Sequence, residues 1–117
     1  METISSQLQQ TLENYIDGKV EFPAYYPGMN ILVSDLYKEQ LKSVLKLFEK
    51  DQNSAKSFHL YLDTVIINMQ TKIKKYKQSI YFNDENIKDI ENQGYTIPFY
   101  IDENKKLYVL LGIIKKS

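Results

Sequence analysis

Cysteine, arginine and long apolar runs are missing from this sequence, and each absence excludes a class of function. Without cysteine the chain has no disulfide, no thiol nucleophile and no thiolate ligand for a metal. Its 15 basic residues are all lysine, so phosphate contacts fall to lysine, tyrosine or backbone amides rather than to a bidentate guanidinium. With a single histidine, neither a zinc site nor any other metal or cofactor is expected.

Charge is balanced along the chain. The 15 lysines offset 15 acidic residues over 117 positions, so net charge gives no argument for a nucleic-acid or membrane partner. No apolar run reaches the roughly 18 residues of a membrane span, and residues 1–20 lack the basic start and apolar middle of a signal peptide. We therefore expect a cytoplasmic protein with one folded domain and no membrane contact.

The first 28 residues predict a short helix followed by an extended arm. Apolar residues recur at steps of four over residues 4–17, and Gly18 follows as a helix stop. Two prolines between positions 19 and 28 are incompatible with a helix there. Residues 1–28 are therefore predicted to be an appendage to a domain at residues 29–117.

The remaining residues predict an α+β fold: a strand, a helical hairpin and an antiparallel meander. A short strand at residues 29–33 leads into a helix that Ser34 or Asp35 can cap. Apolar stripes then predict two helices, at residues 37–48 and 58–73. Four strands follow, and the last is almost continuously apolar, which predicts a central position with the first strand beside it. The predicted strands span residues 79–82, 87–90, 95–101 and 107–114.

This order resembles the RelE/ParE superfamily, the toxins of bacterial type II toxin–antitoxin systems. The family's opening strand and helix resemble the stretch MNILVSDLYKEQLKSVLKLF. Its closing meander and basic tail resemble IKDIENQGYTIPFYIDENKKLYVLLGIIKK. The resemblance covers residues 29–117 and implies a toxin fold of β-α-α-β-β-β order, here with an N-terminal helical extension.

Three functions follow from the resemblance. RelE-like toxins are endonucleases that cut mRNA on the ribosome, whereas ParE-like toxins bind DNA gyrase without catalysis. A degenerate toxin fold that only binds partners is the third. The implied partners are a cognate antitoxin and either the ribosome with its mRNA or DNA gyrase.

Lysines after the second helix of the hairpin are the candidate catalytic residues. The family places basic catalytic residues there, and the resemblance matches this position to Lys74, Lys75 and Lys77. When the 2′-hydroxyl of RNA attacks the adjacent phosphate, cleavage needs a base, an acid and positive charge around the phosphorane. The alternative is a solvated run of lysines at a helix C-terminus. Further contacts to RNA or another target are predicted for Lys72, Tyr81, Lys88, Tyr95, Lys115 and Lys116.

Two residues depart from the family pattern. Thr96 stands where family members usually carry arginine, so the basic residue expected against the scissile phosphate is missing. Pro98 lacks an amide hydrogen, which predicts an edge strand or a bulge.

Other polar residues are predicted to lie on the surface: the pair His59 and Asp63, and the turn residues Asp84, Glu85 and Asp89.

The role of residues 1–28 stays open between three alternatives. An amphipathic helix with an extended arm resembles the tail by which an antitoxin clamps a toxin. The segment is therefore a built-in mask, a platform for a separate antitoxin, or an ordinary extension packed on the sheet or the helices.

Overall fold

A computed structural model describes residues 3–48 and 50–116 of the chain. Its helices are α1 (Ile4–Ile16), α2 (Asp35–Lys46) and α3 (Gln52–Ile67), and a 3-10 segment follows α3 at Met69–Lys75. Its strands are β1 (Ile31–Val33), β2 (Lys77–Gln78), β3 (Ile87–Asn92), β4 (Tyr95–Asp102), β5 (Leu107–Leu110) and β6 (Ile114–Lys115). Within the described residues, no helix is long and apolar enough to cross a membrane.

Each α-helix begins at a side chain that accepts a hydrogen bond from an amide of the first turn. Thr3 accepts from the amide of Ser6, and Ser34 accepts from that of Tyr37, both at 3.0 Å. Asp51 accepts from the amide of Ser54 at 3.1 Å. Because free amide hydrogens at a helix start need acceptors, these caps fix where the three helices begin. The predicted cap at residues 34–35 is confirmed at Ser34.

The strands form one mixed sheet in the order β1-β5-β4-β3-β2, with β6 also paired to β4. The predicted pairing of the first strand with the last apolar segment is confirmed, since Ile31 lies opposite Tyr108 in a parallel register. Strands β3, β4 and β5 form the predicted antiparallel meander. The chain is therefore an α+β fold, as predicted.

The last apolar segment is two strands rather than the predicted single one. Between β5 and β6 the chain turns at Gly112, where a Cβ atom would lie 2.6 Å from Oε1 of Gln40 and 2.9 Å from Cδ2 of Leu8. Oε1 of Gln40 also accepts the amide hydrogen of Ile113 at 2.9 Å. The side chain of Gln40, on α2, thus forms a hydrogen bond where a neighbouring strand would otherwise form one. Because glycine has no Cβ atom, the backbone at Gly112 can lie close to this side chain.

Pro98 lies in an interior strand, so of the two predicted positions the edge is wrong and the bulge is confirmed. Phe99 lies opposite Leu110 and Thr96 opposite Ile114, so two residues of β4 lie opposite three residues of the partner segment.

The carbonyl of Pro98 accepts from the amide of Leu111 at 2.9 Å. In a strand, the nitrogen and the carbonyl of one residue point toward the same neighbouring strand. The nitrogen of Pro98 therefore points toward the segment between Leu110, where β5 ends, and Ile114, where β6 begins. Because this segment belongs to neither strand, the amide hydrogen that proline lacks is not needed for the pairing of β4 with β5 or β6.

The junction after the helical hairpin also differs from the prediction. Helix α3 ends at Ile67 instead of continuing to residue 73, and the 3-10 segment contains a non-helical Lys72 with φ −123°. The predicted strand at residues 79–82 is wrong. The carboxylate of Asp89 accepts the amide of Ile80 at 3.0 Å, and the hydroxyl of Ser79 accepts that of Tyr81 at 3.2 Å. Because side chains take these amide hydrogens, the ladder ends at β2.

Helices cover both faces of the sheet. One cluster joins α2 and α3 to the sheet around buried side chains such as Tyr37, Leu62 and Phe99. The other joins α1 to the opposite face, and its fully buried members are Leu8, Ile87, Val109 and Leu111. The N-terminal helix is therefore packed on the sheet.

The extended arm continues this packing along β1. Tyr25 donates its amide hydrogen to the carbonyl of Ile31 at 2.6 Å, and Val33 donates to that of Pro23 at 3.0 Å. Ala24 forms an antiparallel bridge with Leu32. The arm thus shields the outer edge of β1, which would otherwise present unpaired backbone groups.

Candidate functional site

A cleft of about 600 Å³ opens between α3, the 3-10 segment and strands β2 and β3. Strand β2 is short, with Lys77 opposite Asp89 and Gln78 opposite Lys88, and β3 continues beyond it to Asn92. The cleft lies where β3 extends past its neighbour. Three of its lining residues are lysines, so we call it the lysine cleft: Lys72, Lys75 and Lys77.

The three lysines are exposed and free to bind an anion. They come from the 3-10 segment and β2, which the early end of α3 brings to the rim of the cleft. None of the three forms an ion pair with a carboxylate in residues 3–48 or 50–116. The three ammonium groups outnumber the two carboxylates of the lining, Asp89 and Glu91, so the cleft attracts a phosphate or another anion.

The floor of the lysine cleft consists of its two buried lining residues, Ile90 and Asn92. Asn92 is 6% exposed, and its Nδ2 has no hydrogen-bond partner among the described atoms. On the opposite face of β3, Oδ2 of Asp89 accepts the amide hydrogen of Ile80, while its Oδ1 is buried without a partner in the described part of the chain. Native proteins satisfy nearly all buried polar atoms, so the unpartnered Nδ2 of Asn92 in the lining of the cleft is unusual.

Two tyrosines complete the cleft. Tyr61, on α3, is 57% exposed, which leaves its ring available to a ligand. Tyr76 is half-buried and packs edge-to-face on Phe99 at a centroid distance of 5.8 Å. Burial raises the pKa of Tyr76, so its hydroxyl stays neutral at physiological pH.

Two of the three predicted catalytic lysines, Lys75 and Lys77, line the cleft, together with the predicted binding residue Lys72. Lys74 is exposed and lies outside the lining. The ammonium of Lys88 donates to the carbonyl of Ile73 at 3.1 Å, which ties β3 to the 3-10 segment.

None of the other predicted contact residues lines the cleft. Lys116 comes nearest, because it pairs at 2.8 Å with Glu91, which does line it, and Lys115 is exposed on β6. Tyr81 packs into the cluster under α1, on the other face of the sheet. Tyr95 is buried against Phe58. Of these four residues, only Lys116 therefore reaches the edge of the lysine cleft.

Neither a protein-family model nor a curated protein matches the chain.

Sequence reasoning missed several residues of the cleft, among them Tyr61, Asp89 and Asn92. Asp89 was predicted to be a surface residue, yet its side chain is half-buried, with one buried oxygen. The available signal was the stretch IKDIEN, in which polar residues interrupt a strand that lies inside the sheet. Tyr61 gave no comparable signal, because an exposed tyrosine on a helix is ordinary.

A second polar cluster lies on the other side of α3, around Asp63. The hydroxyl of Tyr25 donates to Oδ1 of Asp63, and that of Tyr26 donates to Oδ2 at 3.2 Å. Nε2 of His59 lies 3.8 Å from Oδ1. The predicted His59–Asp63 pair is present, but the Asp63 side chain is only 18% exposed, so the predicted surface position holds for His59 alone.

This Asp63 cluster fastens the N-terminal arm to α3. Burial, together with the hydrogen bond to Asp63, raises the pKa of Tyr25. Both carboxylate oxygens accept a tyrosine hydroxyl, so neither oxygen is left without a partner. Among the residues described, no group of three acidic or histidine side chains is arranged to hold a metal ion.

Proposed function

We propose that the chain is the toxin of a bacterial type II toxin–antitoxin system and acts as a RelE-like endonuclease on mRNA bound to the ribosome. The observation that carries the proposal is the lysine cleft, with three cations that have no described ion pair and an exposed tyrosine. A single-stranded nucleic acid is bound by such a combination of backbone charge and aromatic surface.

The order of the elements supports the proposed family. After α1 and the arm, the chain runs through a strand, two helices and an antiparallel meander whose β5 lies beside β1. Apart from the two-residue strands β2 and β6, this order agrees with the β-α-α-β-β-β order that the RelE/ParE resemblance of residues 29–117 implies. In the proposed cell context, a cognate antitoxin binds the protein and keeps it inactive in the cytoplasm.

The chemistry assigned to the cleft is electrostatic. In the proposed reaction the 2′-oxygen of the RNA attacks the adjacent phosphate while its proton passes to water, and a 2′,3′-cyclic phosphate forms. The bond from phosphorus to the 5′-oxygen breaks, and this oxygen takes a proton from water. Lys75 and Lys77 stabilise the negative charge of the phosphorane. Lys72 holds a neighbouring phosphate of the RNA. Positive charges placed where charge develops contribute more to such a reaction than binding charges elsewhere.

The second candidate function is ParE-like inhibition of DNA gyrase without catalysis, and the burial of Thr96 favours it. Thr96 is 3% exposed and is paired with Ile114 in the sheet, so the position of the family's arginine faces no substrate. The chain's single histidine belongs to the Asp63 cluster rather than the cleft. Both observations reduce the number of groups available for acid–base catalysis.

The test is cleavage of a defined message in a translating bacterial extract, with a purified gyrase assay in parallel. The variant Lys72→Ala/Lys75→Ala/Lys77→Ala removes the charge of the cleft. The matched control, Lys38→Ala/Lys42→Ala/Lys46→Ala, removes three exposed lysines of α2. We expect wild type and control to cut the message and the cleft variant to leave it intact.

The salt dependence of RNA binding gives a second measurement. If three lysines contact phosphates, the slope of log K against log salt should fall in magnitude by about 2 in the cleft variant, at roughly 0.7 per contact on a single strand. An intact message together with gyrase-dependent DNA breaks would show the ParE-like function instead. A folded wild-type protein that affects neither assay would refute both.

A further inference from the structure

The buried amide of Asn92 is the starting point. Asn92 lies on the floor of the lysine cleft. Its Nδ2 is a hydrogen-bond donor that is buried away from water and has no hydrogen-bond partner in the described structure. An unsatisfied buried donor costs a protein more than the net value of an ordinary hydrogen bond. A ligand that brings an acceptor to this point would recover that cost, so the arrangement favours an occupant with a polar edge.

The charges of the cleft orient such an occupant. Phosphate is attracted to the ammonium groups of Lys72, Lys75 and Lys77, the three cations that line the cleft. The neutral, hydrogen-bonding part of the ligand is then left for the uncharged amide of Asn92. Nucleobases carry acceptors on a rigid edge, which suits an unpaired donor.

The size and aromatic content of the cleft agree with this orientation. A volume of about 600 Å³ lies within the usual range of small-ligand sites, roughly 300–1,000 Å³. Tyr61 contributes an exposed ring to the same cleft. A base that stacks on a tyrosine while its edge meets polar groups is the common way in which proteins bind unpaired nucleotides.

We propose that the lysine cleft binds one unpaired nucleotide of the RNA, with its base against Tyr61, the edge of that base on Asn92 and its phosphate on the lysines. This inference rests on the proposed RNA-directed function and adds a pocket for one base to it. Asn92 and Tyr61 then determine which nucleotide is accepted, whereas the lysines act on any sequence.

The test measures binding of the four nucleoside 3′-monophosphates and of inorganic phosphate to the purified full chain, without ribosomes. We expect at least one nucleotide to bind roughly tenfold or more tightly than inorganic phosphate, because stacking and edge contacts add to the charge. The variant Asn92→Leu should weaken that nucleotide roughly tenfold and leave phosphate binding unchanged. The matched control Asn83→Leu changes an exposed asparagine outside the cleft and should alter neither.

Tyr61→Leu keeps the test decisive if Asn92→Leu fails to fold, since Tyr61 is exposed. It should weaken the preferred nucleotide and not phosphate. Equal binding of nucleotides and phosphate, or unchanged nucleotide binding in both variants, would overturn the base pocket even if messages are cut in the extract. Selective nucleotide binding that depends on both residues supports the pocket, and would do so even if translation is unaffected and the proposed nuclease is wrong.

Discussion

The Asp63 cluster and the lysine cleft use the same helix, α3, and differ in how their polar atoms are satisfied. Around Asp63, hydroxyls of Tyr25 and Tyr26 occupy both carboxylate oxygens. In the cleft, three lysines have no described ion pair, and Asn92 keeps an unpartnered buried nitrogen. A cluster whose hydrogen bonds are complete stabilises the fold, whereas one with free donors and charges has binding capacity left for a ligand. Removing polar groups should therefore affect stability in the first and binding in the second.

The largest effect on stability is expected from Asp63→Ala. The half-buried hydroxyl of Tyr25 would lose its acceptor, and the arm would lose its attachment to α3. We expect the free energy of unfolding to fall by about 1–3 kcal/mol, measured by urea denaturation at pH 7. Binding of RNA at the cleft should be unchanged.

Asp17→Ala is the control for this change. The Asp17 side chain is 56% exposed and lies 4.0 Å from Lys19, so its loss should cost less than about 0.5 kcal/mol. Equal effects of the two substitutions would mean that the Asp63 cluster contributes nothing special to the fold.

The contrast between the two clusters could be predicted from the sequence only in part. Periodicity and cap residues located the helices and the strands, and the apolar run at 107–114 indicated its pairing with β1. The Asp63 cluster joins residues 38 positions apart, and local patterns carry no information about such a contact. The cleft depends on where α3 stops. Its apolar stripe continues to Ile73, but the chain leaves the α-helix after Ile67. The sequence thus predicts the three lysines as site residues, whereas only the folded structure shows that Asn92 and Tyr61 line the same cleft.

The second-largest effect on stability is expected from alkaline pH, which acts on the Asp63 cluster. The pKa of Tyr25 is raised above its ordinary value of 10.0 in the folded protein, so the hydroxyl contributes stability that is complete below pH 10. Above that pH the unfolded chain releases this proton and the folded chain retains it, so stability declines. Tyr25→Phe should make the decline shallower by at most about 1.4 kcal/mol per pH unit, measured by denaturation between pH 9 and pH 11.

Tyr26→Phe provides the comparison for that slope. Tyr26 donates to the same carboxylate but is 42% exposed, so its removal should change the decline much less. A slope that responds equally to both substitutions, or to neither, would contradict the proposed role of Tyr25.

Asn92→Leu should have the opposite sign to Asp63→Ala. The substitution removes a buried amide whose nitrogen has no described partner and replaces it with an apolar group of similar size. We expect the free energy of unfolding to stay the same or rise by up to about 1 kcal/mol in urea denaturation. A loss of several kcal/mol would show that the amide is satisfied within the fold, and the cleft would then have no free donor for a ligand.

The smallest effect on stability is expected from the lysines themselves. The side chains of Lys72, Lys75 and Lys77 are exposed and have no described ion pair, so their combined replacement by alanine removes little that the folded state needs. Each change should alter the free energy of unfolding by less than about 0.5 kcal/mol in urea denaturation. The α2 control triple should behave in the same way. If the two triples match in stability and only the cleft triple loses RNA, the three lysines serve binding and not the fold. A large loss of stability in the cleft triple alone would place these lysines with Asp63 among the residues that hold the structure together.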